Sequence, residues 1–185
     1  MASKSQIKKT AAKRKSKIKY DLDELLQLTK QHFGKRFPSA TETLPRVPRL
    51  TYSPFVGVKF LAVRADVQGL AEDKTYKVVL VFFDVSYSEK KDAVHTVKMK
   101  VDPNLVVYMK PIDKSNPVRL RCGCRDAYFR GLYYLWRDGN LYGVKPRAYQ
   151  RKTTTWPSVN PAKVSMMCKH MISVYYKIRR SNKFK

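Results

Sequence analysis

Two short motifs, Cys122-Gly123-Cys124 and Cys168-Lys169-His170, hold all three cysteines of the chain and one of its three histidines. They are far apart: 43 residues, positions 125–167, lie between them. If both pairs serve one purpose, the fold must bring the two ends of that excursion together.

Three sulfurs and one imidazole nitrogen are the donor set of a closed tetrahedral zinc site. In extended backbone, residues i and i+2 point the same way, so Cys122 and Cys124 can reach one ion. Gly123 between them lets the backbone bend. Cys168 and His170 are expected at a helix start, where the turn out of the preceding loop brings both side chains round. Three thiolates and a neutral imidazole leave an occupied site at about −1, and Arg121, Arg125 and Lys169 are placed in sequence to offset it. Three buried free thiols beside a core histidine are the bland alternative, but that leaves unexplained why no cysteine stands elsewhere. A Cys–His nucleophile needs an orienting third group and leaves the C-x-C pair unused. A catalytic zinc keeps an open position, which four protein ligands remove. The expectation is one structural zinc on Cys122, Cys124, Cys168 and His170. An odd cysteine count, with no apolar secretory segment in the basic N-terminal stretch, points to a reducing compartment rather than a disulfide framework.

Charge sets the second constraint. Lys and Arg number 39 against 14 Asp and Glu, a net charge of +25. Such a surplus repels itself unless something anionic is close. Nucleic acid is the first candidate partner, an acidic protein surface the second and an anionic membrane surface the third. No run of about 18 apolar residues exists, so no membrane span is expected. Residues 1–20 hold eight basic residues and no acid. They read as a basic arm ordered by a partner, with Lys8, Lys9, Lys13, Arg14 and Lys15 as contacts.

The whole chain is 43% hydrophobic, enough for a packed core. Residues 21–54 form a second section. Asp21 and Glu24 have capping-box spacing, Leu22, Leu25, Leu26 and Phe33 share one face, and Gly34 offers a left-handed stop. His32 therefore reads as a helix-end residue. Pro38, Pro45, Pro48 and Pro54 then argue for an extended segment with no regular element up to residue 54. Residues 55–185 form the third section. Segments 55–68, 75–87, 94–101, 104–110 and 116–122 carry strand patterns, with His95 as a structural residue in the third. They predict four or five antiparallel strands joined by hairpins. Residues 126–140 have helical spacing weakened by Gly131, a long loop follows, and 168–180 reads as the last helix. The fold class expected is α+β: a small antiparallel sheet, a zinc-stapled C-terminal helix, a basic arm and a short N-terminal helix.

The ligand pattern resembles a SWIM-type zinc finger, in which a hairpin and a helix clasp one zinc. The match is Cys122, Cys124, Cys168 and His170 in that order, and the departure is a gap longer than the usual finger has. That resemblance implies a nucleic-acid- or protein-binding site. A second one covers the C-terminal third: "CGCRDAYFR" with "LYGVKPRAYQRKTTTWPSVNPAKVSMMCKH" is similar to a segment of structural proteins of tailed bacteriophages, especially contractile-tailed ones. It implies a location in the virion and other virion proteins as partners.

Between the zinc pairs, aromatic residues from Tyr128 to Trp156 alternate with basic ones from Arg125 to Lys152. The mixture suits single-stranded nucleic acid and suits a protein interface equally. Its helical part reads as core, and the loop supplies the contact candidates Arg147, Arg151, Lys152 and Trp156. No Gly-rich phosphate loop, Ser-His-Asp order or paired-carboxylate site is visible, and no small-molecule substrate is inferred. The expected function is therefore non-enzymatic: a zinc-stabilised docking component of a tailed-phage particle. The alternative is a soluble SWIM-type nucleic-acid-binding protein.

Overall fold

The computed structural model describes residues 17–34, 44–69, 74–147 and 160–185. They form a mixed α+β fold with two small antiparallel sheets and three α-helices. Helix α1 (Leu22–Phe33) starts as its sequence dictates. The Asp21 carboxylate accepts from the Glu24 amide at 2.8 Å, and the Glu24 carboxylate accepts from the Asp21 amide at 2.8 Å. Leu22, Leu25, Leu26 and Phe33 are buried on one face. Gly34 is right-handed (φ −54°), so the expected left-handed stop is not made.

The larger sheet has the order β1-β2-β3-β7, with β1 (Arg49–Phe55), β2 (Phe60–Gln68), β3 (Thr75–Phe82) and β7 (Val118–Cys122). Strand β1 corrects the reading of a wholly irregular proline-rich segment. It tolerates Pro54 because it is the sheet's edge strand, where a missing N–H need not leave a ladder bond unmade. The smaller sheet, ordered β4-β6-β5, comprises β4 (Tyr87–Ser88), β5 (Val97–Lys100) and β6 (Val106–Met109). Segment 75–87, expected as one strand, is thus divided between the sheets. Asp84, left-handed at φ 56°, stands at the break. His95 lies just before β5 rather than within it.

Period-2 alternation sorts the larger sheet. Leu61, Val63, Ala65 and Val67 of β2, Val78, Leu80 and Phe82 of β3, and Val118, Leu120 and Cys122 of β7 are buried in one core cluster. Helix α3 (Lys169–Arg179) packs across β2, β3 and β7. Its Met171, Ile172, Val174 and Ile178 fill the same cluster. Each such side chain contributes about 1.5–3 kcal/mol by leaving water. Helix α1 joins this core: Tyr175 donates to Asp23 at 2.8 Å, and Arg179 pairs with Asp23 at 2.8 Å.

The excursion between the cysteine pairs opens with a π-helical turn, Ala127–Gly131, that runs into α2 (Leu132–Arg137). Gly139 ends it at φ 77°. The Gly139 amide donates to the Trp136 carbonyl and the Asn140 amide to the Leu135 carbonyl, which is a Schellman stop. Asn140 then ties the excursion to the sheet. Its buried side-chain amide donates to Val118 at 3.0 Å and to Tyr20 at 2.6 Å, both at the carbonyl. Leu141 bridges Leu120 in parallel. Further along, the Met167 amide donates to Thr29 of α1 at 2.9 Å.

Candidate metal centre

Strand alternation brings Cys122 to the last position of β7 on the core face, beyond Val118 and Leu120. The chain leaves the strand at Gly123 and turns, so Cys124 sits in a bend rather than in the strand. The Ala127 amide donates to the Cys124 sulfur at 3.3 Å, and the Tyr128 amide to the Cys124 carbonyl at 3.1 Å. That knuckle points both sulfurs the same way. Gly123 is not its cause: its φ is not positive, and a Cβ there would meet nothing within 4 Å.

Cys168 is the N-cap of α3, with extended backbone (φ −76°, ψ 166°) and no side-chain capping bond. A cap serine or aspartate would turn its oxygen onto the helix amides, whereas this sulfur stays free. The same extended geometry lets the cap side chain and that of His170 converge, although residues two apart inside a helix diverge. The ligand atoms of Cys122, Cys124, Cys168 and His170 all lie within 4.8 Å of one another. His170 Nδ1 is 3.8 Å from Cys122 Sγ and 4.0 Å from Cys168 Sγ. A tetrahedron with zinc–sulfur and zinc–nitrogen bonds of ordinary length has sulfur–nitrogen edges of about 3.6 Å, slightly shorter than these, and sulfur–sulfur edges of about 3.8 Å. All three cysteines are free and buried, and the four donors are close enough together that they could hold a metal ion.

The electrostatics favour a cation. Hydrogen bonding between the thiols holds Cys122 protonated, with its pKa pushed up to about 12, and holds Cys124 ionised well below the ordinary thiol range. Burial pushes Cys168 far up. Three thiolates cannot coexist there unaided, so a metal ion entering must displace protons from Cys122 and Cys168. The N-terminal end of α3 adds a favourable dipole to the sulfur cluster. Arg121 takes no part: its guanidinium donates to the carbonyls of Tyr142 and Val144.

One neighbour of the centre was not legible in the motifs. The Tyr76 ring covers His170 at 4.4 Å between centroids. Val78 pairs with Cys122, and Tyr76 is two residues away on the same face of β3, past the end of β7. The signal is therefore strand register, which appears only once β3 and β7 are paired.

The other expected contact residues fall almost entirely outside the described part of the chain. Lys8, Lys9, Lys13, Arg14, Lys15, Arg151, Lys152 and Trp156 lie outside the described residues, and Arg147 is exposed. Within the excursion, Tyr128, Phe129, Trp136 and Tyr142 are partly exposed, so the helical part is not simply core. Lys145 stacks over Trp136 at 3.9 Å, while Arg130 and Arg137 pair with Asp126 and Asp138. His32 is exposed in the last turn of α1, and His95 is held between Asp92 and Ser86 at 2.8 Å each. Ser86, His95 and Asp92 thus form a hydrogen-bonded Ser-His-Asp relay within one loop. Asp92 is committed to its own turn, accepting from the Val94 and His95 amides, so the relay locks the loop before β5. No helix among the described residues is long and apolar enough to cross a membrane.

No protein family, curated protein or solved structure matches the chain.

Proposed function

We propose that Cys122, Cys124, Cys168 and His170 hold one structural zinc ion, and that the chain is a non-catalytic docking module of a tailed-phage particle. The convergence of the four ligands carries this reading. Three sulfurs and a nitrogen suit zinc among the common divalent ions, and four protein ligands leave no position for a substrate. The metal fastens β7 and the α2 knuckle to the start of α3. The C-terminal block that resembles tailed-phage structural proteins contains this ligand set and the aromatic residues exposed between its halves. The particle supplies the anionic, crowded surroundings that a charge of +25 needs, with neighbouring virion proteins met by the basic arm and the 143–157 loop.

Two experiments test the two parts. Elemental analysis of the purified chain should give one zinc per chain, and cobalt replacement should give the visible bands of a tetrahedral thiolate site. Less than half a zinc per chain, or an octahedral cobalt spectrum, refutes the centre. Mass spectrometry of purified particles should find the chain, and its removal should stop or misdirect assembly. Particles that assemble and infect normally without it refute the docking role. The charge also favours a second reading, a soluble nucleic-acid-binding protein, and a chain recovered with nucleic acid but never with particles would establish that instead.

A further inference from the structure

The last helix carries a feature that the metal centre does not use. Ser173, Tyr176, Lys177 and Arg180 fall at the i, i+3, i+4, i+7 spacing that forms one stripe of a helix. The opposite face, through Met171, Ile172, Val174, Tyr175 and Ile178, is in the core. Ser173 is buried and Tyr176 half-buried, Lys177 and Arg180 are exposed, and the stripe lines a groove of about 470 Å³ with segment 44–48. Arg46 comes from the segment, and Lys177 and Arg180 from the helix.

These three cations share two properties. All are exposed, and none has a side-chain hydrogen bond or ion pair among the described residues. Some basic side chains nearby in sequence or elsewhere in the fold do take a carboxylate. Arg179, one residue from Arg180, takes Asp23, and Lys77 takes Asp66 at 2.6 Å. Among the described residues no carboxylate lines the groove, whose lining also includes Tyr176, Val47 and two prolines. Three cations around a partly apolar trough, with no anion from the described chain, have the chemistry of a site whose anion arrives from outside. A tyrosine in the trough offers a face on which a base or sugar can rest.

We propose that this groove binds the sugar–phosphate backbone of a nucleic acid, with Arg46, Lys177 and Arg180 on successive phosphates and Tyr176 against a base or sugar. The proposal is independent of the particle reading: packaged nucleic acid and free nucleic acid present the same backbone. It adds residues from the fold itself to the basic arm as an anionic contact. Phosphate contacts position without reading sequence, so little sequence preference is expected.

The test uses the full zinc-loaded chain and fluorescence anisotropy with a labelled oligonucleotide, single- and double-stranded, across a salt series. Arg46→Ala, Lys177→Ala and Arg180→Ala combined should lower the salt slope by about 2.7 and weaken binding roughly a hundredfold near 0.15 M salt, if each cation meets one phosphate. The control combines Lys91→Ala, Lys98→Ala and Lys114→Ala. These are exposed lysines elsewhere, and their removal changes the net charge by the same amount. Equal losses in the two triple variants would show a general charge effect and overturn the groove. So would a groove variant that binds as the wild type does while its circular dichroism and melting are unchanged. Photocrosslinking with a bromouracil-substituted strand gives a second readout, with Tyr176 labelled if the proposal holds and labelling confined to other segments if it does not. Competition by polyglutamate at equal charge concentration, as strong as by nucleic acid, would reassign the groove to acidic protein.

Discussion

Replacing Cys168 by serine isolates the mechanical effect of the metal. Cys168 is 1% exposed and caps the last helix. Serine keeps the shape of the site but offers a hydroxyl that zinc binds poorly. A metal shared by Cys124 and Cys168 closes a loop with 43 residues, 125–167, between its ends. Treating the metal as a cross-link, the loop-closure entropy removed from the unfolded chain is worth about 4 kcal/mol at 25 °C. For a chain of this size, 1 kcal/mol moves the melting temperature by about 2–4 °C, so Cys168→Ser should melt roughly 8–16 °C lower. The assay is thermal unfolding, under reductant, of wild type and variant, each with excess zinc and with a strong chelator. Chelation should lower the wild type by about as much as the substitution does, and should leave Cys168→Ser unmoved. A wild-type shift of under about 2 °C on chelation, or a variant that retains one zinc per chain, would refute the reasoning, because the excursion would then not be closed by metal.

Three further outcomes follow from single positions. Gly139→Ala should be destabilised by at least about 1–2 kcal/mol in urea unfolding, since alanine is strained in left-handed backbone and its Cβ would sit 2.6 Å from the Lys17 carbonyl. Gly123→Ala should change stability by less than about 0.5 kcal/mol, and the reverse order would contradict the geometry of both turns. Asn140→Ala should lose about 3 kcal/mol by the same measurement, because it strands buried backbone groups of Tyr20 and Val118. Asn140→Asp, which cannot donate, should not restore stability. Hydrogen bonds from His95, first its backbone amide and then its ring, hold the Asp92 pKa down at about 2, below its ordinary 3.8. A lowered carboxylate pKa contributes stability above the unfolded value and loses it as pH falls through the folded one. That contribution should fade between about pH 4 and pH 2. In an NMR titration, His95→Ala should raise the Asp92 midpoint only part of the way, since the backbone amides of residues 94 and 95 still donate, and an unchanged midpoint would dissolve the relay.

The Cys/His cluster was legible because it is chemical and local: two i, i+2 pairs name a candidate donor set. The Asp21–Glu24 box was legible for the same reason, as four consecutive residues contain the whole interaction. The alternation of Val118, Leu120 and Cys122 was legible as one face of a strand. What the sequence hid depends on distant partners. Pro54 marks a break by its own chemistry, and only the absence of a neighbour beyond β1 makes it admissible as strand. Among the described residues seven strands in two sheets stand where four or five in one were expected, because a run as apolar as 75–87 gives no sign that the chain changes sheets near Asp84. The pairing of β3 with β7 skips residues 83–117, and with it goes the placement of Tyr76 over His170. Asn140 looks like an ordinary turn residue until Tyr20, 120 positions away, is seen on its side chain. Ser86, Asp92 and His95 were passed over because their spacing names no element, and only the folded loop turns the His95 ring between the other two.

The size of the staple, set against the core beneath it, decides what chelation does to the folded protein. Met171, Ile172, Val174 and Ile178 are each at most 2% exposed. At about 1.5–3 kcal/mol apiece, their burial exceeds the roughly 4 kcal/mol assigned to the metal. The excursion has anchors of its own at Asn140 and Met167. The metal-free protein should therefore keep α3 docked and lose order only where the ligands stood, unlike small zinc fingers that unfold without metal. Hydrogen exchange can distinguish the two behaviours. Chelation under reductant should speed exchange at Ala127 and Tyr128, whose amides close the knuckle on Cys124, and at Ile172, whose amide bonds the Cys168 carbonyl at 3.0 Å. Val63 and Leu80 at the centre of the sheet should stay protected. Uniform loss of protection across β2, β3 and α3 would mean that the metal holds the whole core together, and the apolar contacts of α3 would then be worth far less than their burial implies.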